Sequence, residues 1–180
     1  ELDENNVLWS KVVYEYIDLN EKLNFPLLFP INDEQNKIGR KSLWRIIKEY
    51  IIKELEANGN SGLEIYNTDD FSSSDKTETH DIRDLISYEK TSRKLIAQGK
   101  GSQTLYIKSA EIGGYNIKGI WYFDKKAAQL KYRLLGIQPV GANTEQLKND
   151  VQNLKLESPF FWIWYPSIRE ELNRYLVFND

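Results

Sequence analysis

The sequence predicts an α+β single domain, with an antiparallel, hairpin-containing β-sheet packed by several amphipathic helices. Three features of the chain predict it. A helical apolar stripe runs through Lys41–Ala57, two aromatic and β-branched runs flank a short loop at 125–128, and Phe160–Tyr165 is apolar on both faces. At 180 residues, the chain fits one domain over 1–180, long enough to enclose a core.

Taken in order, Val7–Leu19 spaces Leu8, Trp9, Val12, Val13, Tyr16 and Ile17 about three to four residues apart, which favours an amphipathic helix. The competing reading is a strand through Val12–Ile17, since those side chains are largely β-branched or aromatic. Phe25–Pro30 reads as an extended apolar segment pinned by Pro26 and Pro30, and 32–39 as a polar loop. In the helix Lys41–Ala57, Leu43, Trp44, Ile47, Tyr50, Ile51 and Leu55 form the inward stripe. Arg45, Lys48, Glu49, Lys53 and Glu56 turn to water, with Glu49 and Lys53 as an i,i+4 pair. Asn58-Gly59 stops the helix, and Gly62–Tyr66 alternates as a short strand.

The acidic, serine-rich stretch 68–79 is expected to be a flexible polar loop, and Asp81–Gln98 a helix ended by Gly99-Lys100-Gly101-Ser102. Ile117–Asp124 and Gln129–Val140 make the hairpin. In its second strand Leu130, Tyr132 and Leu134 should face one way and Lys131 and Arg133 the other. One face is then buried in the core and one meets solvent or a partner, with Pro139 ending the ladder. A turn or two of helix is expected within Glu145–Leu154. Phe160–Tyr165 should be a central strand covered on both sides. Pro166 then opens a helix with Ser167–Glu170 as a capping box and Ile168, Leu172, Tyr175 and Leu176 facing inward.

Composition narrows the chemistry. With 24 basic against 27 acidic residues, a net charge of −3 and a pI near 5.4, the chain carries no broad nucleic-acid or anionic-membrane footprint. The absence of cysteine excludes disulfides, thiolate catalysis and Cys-based zinc sites, and the single histidine, His80, reads as a loop residue rather than a general base. The longest apolar stretch, Phe160–Tyr165, falls far short of the roughly 18 residues of a membrane-spanning helix. Since Glu1 is not an initiator and the chain has no Met, the numbering is expected to begin inside a longer product, either a mature exported form or a trimmed one.

Gly99–Ser102 lacks the first glycine of a phosphate loop and reads as a turn. Asp69-Asp70, Asp81 with Asp84, and Glu170-Glu171 are the paired carboxylates available for glycosidase-type chemistry, and each has a plainer reading as a solvated loop residue or helix cap. No cofactor and no metal set follow from these residues. Trp121, Tyr122, Trp162, Trp164 and Tyr165 read first as core. Two alternatives stand beside that reading: a sugar-stacking platform for glycan or peptidoglycan, and a protein interface.

Four blocks in order carry a further signal. They are Leu8-Trp9-Ser10-Lys11 with Ile17–Leu27, Ile117-Lys118 leading to Trp121–Lys125, Arg133–Val140, and Phe161–Pro166 with Arg169 after it. Together they resemble the GldN/PorN family, gliding-motility and type IX secretion components of Bacteroidetes, over about 7–179. Gly119-Ile120 departs from the polar pair expected after Ile-Lys in that family. The resemblance implies a non-enzymatic structural subunit of the periplasm, peripherally associated with the outer membrane through a lipoprotein of the GldK/PorK type. It implies assembly with that lipoprotein into a ring, self-association there, contact with the GldM/PorM-type motor component, no nucleic acid and no direct membrane span. The motif positions it marks, expected to be mainly structural, are Trp9, Asp18, Leu19, Pro26, Trp121, Phe123, Asp124, Arg133, Gly136, Pro139, Trp162, Trp164, Tyr165 and Pro166.

Overall fold

Alternation along a strand puts every second side chain on one face, so strands in register line up apolar rows. The computed structural model, which describes residues 6–32, 40–57, 62–78, 81–91, 96–99, 101–149 and 153–175, is built around such a row. Its strands are β1 (Val7–Asp18), β2 (Ile65–Tyr66), β3 (Ser87–Lys90), β4 (Gln103–Tyr106), β5 (Ile112–Asp124), β6 (Gln129–Gly141), β7 (Ser158–Pro159) and β8 (Trp162–Trp164). The helices are α1 (Phe25–Leu28), α2 (Leu43–Glu56), α3 (Ile82–Ile86), α4 (Thr144–Lys148) and α5 (Tyr165–Leu172). The main sheet runs β1-β5-β6-β8-β2 with β7 beside β6, and β3-β4 form a separate pair, all antiparallel. This is the mixed α+β single domain expected.

Ile117 of β5 lies opposite Ile137 of β6, which lies opposite Ile163 of β8, which lies opposite Ile65 of β2. The last three are buried and join Trp44, Ile47 and Ile51 of α2, Ile168 of α5 and Phe161 in one core cluster. Each such aliphatic side chain taken out of water contributes about 1.5–3 kcal/mol. The helix α2 forms as its stripe demands, with the Ser42 hydroxyl accepting from the Arg45 N–H at 3.1 Å as N-cap. The buried indole of Trp44 and the amine of Lys48 both donate to the Ile107 carbonyl at 2.9 Å, tying the helix to the end of β4. Lys48 is therefore buried rather than turned to water. Glu49 pairs with Arg45 (2.7 Å) and Lys41 instead of with Lys53, whose amine lies over the Tyr50 ring.

Val7–Asp18 is a strand, not the favoured helix. Eight of its twelve positions are apolar or aromatic, dense enough for a 3.6-residue period to be drawn through it, but pairing along β5 satisfied the backbone and decided the matter. Phe25–Pro30 is not extended: a 3-10 turn at Lys22–Asn24 leads into α1, where Pro26 occupies the first turn, a position that needs no N–H. The helix expected over Asp81–Gln98 stops at Ile86, because Ser87–Lys90 pair with Gln103–Tyr106. The stop at Asn58-Gly59 and the loop at 33–39 lie outside the described residues.

The hairpin β5–β6 forms as expected, and Asp124 shapes its turn by accepting from the N–H groups of Lys126 (3.0 Å) and Ala127 (3.1 Å) and from the Lys131 amine (2.7 Å). Pro139 does not end the ladder, which continues to Gly141. Its ring nitrogen is turned away from β5, on the side where the Phe160 N–H reaches its carbonyl at 2.9 Å, so no rung to β5 is lost. The short helix at Thr144–Lys148 falls where one was expected.

The strand expected over Phe160–Tyr165 is shorter, Trp162–Trp164, and is internal between β6 and β2. Tyr165 and Pro166 begin α5, so Ser167 sits inside that helix rather than capping it. Its hydroxyl donates to the Trp164 carbonyl (2.7 Å) and accepts from the Glu64 N–H (3.0 Å). Ile168 is buried and Leu172 half-buried as expected, while Leu176 lies outside the described residues. Replacing Trp162, which is buried, with Ala should lower unfolding stability by about 3–5 kcal/mol in urea denaturation. A variant with the parent's midpoint would remove Trp162 from the core.

Candidate interaction surface

The main sheet has two faces of different character, and the register assigns each residue to one of them. On the face opposite the isoleucine row, Tyr14, Lys118, Gly136 and Trp164 lie side by side across β1, β5, β6 and β8. Gly136 is required there by close approach: a Cβ on it would come within 2.3 Å of the Phe71 ring and 3.1 Å of the Trp162 ring. Phe71 comes from the 67–76 loop and reaches the sheet in a left-handed conformation, φ 53°. It packs on Trp164 at 4.8 Å, on Tyr66 at 5.4 Å and on Trp162 at 6.2 Å between ring centres. These are offset or edge-on arrangements of the kind that add to simple burial.

Charge fixes the same loop. The Lys118 amine donates to the Asp69 carbonyl (2.7 Å) and carboxylate (2.9 Å), and the Tyr14 hydroxyl donates to that carboxylate. The amine also stands 5.5 Å from the Tyr14 ring centre and 5.6 Å from that of Phe71. Hydrogen bonds from Tyr14 and then Lys118 hold the Asp69 carboxyl below the usual carboxylate range, against the opposing effect of burial. Burial works against the charge on Lys118, but its bonds to Asp69 and Tyr14 prevail and push its pKa up. Asp69, Phe71, Tyr14 and Lys118 were thus brought together by the fold. In the sequence Lys118 stood out only within the Ile117-Lys118 block and Asp69 only as half of a carboxylate pair, and nothing there joined them.

The core face behaves differently along its length. Near the isoleucine row it is covered by helices, but β1, β5 and β6 continue beyond them as a three-stranded ribbon. There Trp9, Phe123 and Leu130 form one row, and Lys11, Trp121 and Tyr132 the next. Trp9 is 51% exposed, Leu130 55%, Tyr132 38% and Trp121 36%. Leu130 and Tyr132 therefore do not face the core as the alternation suggested, and of that set Leu134 alone is half-buried. Trp121 and Tyr132 hold each other at 5.1 Å between ring centres, and the Tyr132 ring lies across Gly119, where a Cβ would meet its hydroxyl at 2.1 Å. Gly119, the departure from the expected motif, is what lets that ring lie flat on the ribbon.

The five aromatics considered as one platform are distributed rather than gathered. Trp121 and Tyr122 point to opposite faces, Trp162 is buried, Trp164 packs under Phe71, and Tyr165 begins α5. The carboxylates are likewise dispersed: Asp69 is engaged with Lys118, Asp81 and Asp84 lie exposed at α3, and Glu171 pairs with Arg174 at 2.9 Å. His80 lies outside the described residues. Among the described residues no three acidic or histidine side chains gather as a metal site, and no helix is long and apolar enough to cross a membrane. A groove of mixed polarity, about 790 Å³, beside β1 is lined among others by Tyr16, Asp18, Asn116, Val140, Leu156 and Glu157, and an apolar cavity of about 260 Å³ lies beneath α1 and α2. Neither gathers a recognisable catalytic set.

The remaining motif positions are placed as follows. Leu19 is buried, and the Asp18 carboxylate closes the turn after β1 by accepting from the Asn20 backbone and side chain at 2.9 Å. Arg133 is half-buried on the Lys118 face.

The Asp69 clamp carries a pH signature. A carboxyl with a depressed folded-state pKa stabilises the fold above its unfolded value, about 3.9, and loses that contribution as pH falls through the folded one. The melting temperature of the parent should therefore exceed that of Asp69→Asn near neutrality, with the gap closing on acidification below about pH 4. A gap that stays constant through that range would mean that ionised Asp69 does not hold the loop.

No curated protein matches the chain. The family model described as "Gliding motility associated protein GldN" matches residues 2–180, in agreement with the four ordered sequence blocks. With its sheet, its clamped loop and its uncovered aromatic ribbon in view, this chain belongs to the GldN family of gliding-motility-associated proteins.

Proposed function

We propose that this protein is a non-enzymatic structural subunit of the type IX secretion and gliding apparatus, acting in the periplasm by protein–protein assembly. In this reading it joins an outer-membrane lipoprotein of the GldK/PorK type in a ring and contacts a GldM/PorM-type motor component. The lipoprotein is its link to the outer membrane. Family membership supports the setting. The observation that carries an assembly role is the ribbon, where the apolar face of the sheet runs on past the helices and leaves Trp9, Trp121, Leu130 and Tyr132 open to water.

Exposed aromatics in a contiguous patch are costly in solution and are the residue types that dominate binding energy at interfaces. A ring also needs two different patches on each copy. The ribbon supplies one, and its distance from the helix-covered core leaves it free to bind without disturbing the fold. The same open Trp121–Tyr132 pair supports a second reading, a glycan or peptidoglycan platform. Titration with cell-wall oligosaccharides separates the two, since a saturable tryptophan fluorescence change lost in Trp121→Ala would favour the glycan.

The assembly reading is tested by coexpressing this protein with the lipoprotein and measuring how much lipoprotein it retains. The double variant Trp9→Ala/Trp121→Ala should keep the parent's melting temperature and lose retention by roughly 30-fold or more, as expected for two interface aromatics at about 2 kcal/mol or more combined. Undiminished retention would take the ribbon out of that interface.

A further inference from the structure

The strand β1 has one bonded side and one open side, and the hydrogen bonds at its two ends show which residues face which. The Leu19 N–H donates to the Gly113 carbonyl at 3.0 Å, and the Lys125 N–H donates to the Asn6 carbonyl at 2.8 Å. In an antiparallel ladder, bonded and non-bonded pairs alternate. The odd-numbered residues from Lys11 to Ile17 therefore spend their backbone groups on β5. Ser10, Val12, Tyr14 and Tyr16 turn theirs outward. Since β1 is the last strand of its sheet, no strand among the described residues takes up that outer edge. Val12, Tyr14 and Tyr16 are 44%, 59% and 52% exposed, and the 12-residue strand contains no proline. Long edges of this kind are templates for a further strand.

The charges on β1 select an occupant. Lys11 and Glu15 are both exposed, share the core-side face and have no ion-pair partner among the described residues. We propose that a second copy of this chain adds its own β1 antiparallel along this edge, the two strands meeting about Val13. Lys11 of each copy then faces Glu15 of the other, twice by symmetry. The register is self-consistent, because Val12 falls opposite Tyr14 and Ser10 opposite Tyr16. Those are the residues whose backbone groups point outward on both copies. Moving the centre by one residue either way places Lys11 opposite Val13 or Ile17 and loses both ion pairs. The pairing also sets Trp9, at the open end of one ribbon, opposite Ile17 beside the body of the other. The two sheets join into one, and part of the ribbon is covered.

This two-fold contact is distinct from the head-to-tail contacts of a ring and goes beyond the assembly role proposed above, resting on that reading only for its role in the cell. It is tested on the purified protein by sedimentation velocity over a concentration series. The parent should show a monomer–dimer equilibrium. Val12→Pro removes an outward N–H while leaving the β5 ladder whole, so it should stay monomeric with the parent's circular dichroism. Lys11→Glu, a surface change that leaves folding intact, should weaken dimerisation about ten-fold or more. The double variant Lys11→Glu/Glu15→Lys should restore it.

A parent that remains monomeric at every concentration would overturn the proposal, as would Val12→Pro dimerising like the parent. A single charge reversal not rescued by the double would overturn the register. Retention of the lipoprotein by a parent that stays monomeric would sink this contact alone and leave the assembly role standing.

Discussion

The structure depends on the register that sets Ile117, Ile137, Ile163 and Ile65 side by side across four strands. Because the side-chain period of a strand is two, slipping any one of them by a residue would turn its isoleucine to the wrong face and bring a polar or bulky neighbour inward. For β5 the neighbour is Lys118, and for β8 it is one of two tryptophans. The helix α2 can lie on the sheet only while the row is intact. The burial of Trp44, Ile47 and Ile51 follows from it.

The same register organises the other face. Once Ile117 and Ile137 point to the core, Lys118 and Gly136 must stand together on the reverse side, beside Tyr14 and Trp164. A bare glycine between a lysine and a tryptophan leaves a slot the width of an aromatic ring, and Phe71 fills it. The ionic contact of Asp69 with Lys118 is partly open to solvent, where such a pair contributes on the order of 1 kcal/mol or less. Ring packing supplies more of the attachment, and the charges fix where the loop sits. The loop thereby becomes the second layer that a strand as apolar as Trp162–Trp164 needs.

Residues that marked the family in the sequence sit at turns, rows and close approaches rather than around one pocket. Asp18 and Asp124 close turns, Gly136 receives a ring, Pro139 lies where its missing N–H costs no rung to β5, and Trp9 and Trp121 stand on the open ribbon. That distribution supports the assembly role proposed above. The ribbon is the exception to economical folding, since an apolar face extended beyond its helices gains nothing for the isolated chain.

The sequence alone determined the α+β class, the helix α2, the β5–β6 hairpin and the family, because each rests on local information: a sustained period, a turn between β-forming runs, or words in order. It misjudged β1, α1 and the helix after Asp81, where apolar residues are dense enough to fit more than one period or where a partner strand distant in the chain decides. Tertiary structure alone could show that Asp69 and Phe71 bind a lysine, a glycine and two tryptophans far away in sequence, that Leu130 and Tyr132 lie beyond the reach of the helices, and which backbone groups of β1 remain open. Strand order and register are set by non-local pairing, and a side chain's neighbours across a sheet cannot be read from its neighbours along the chain.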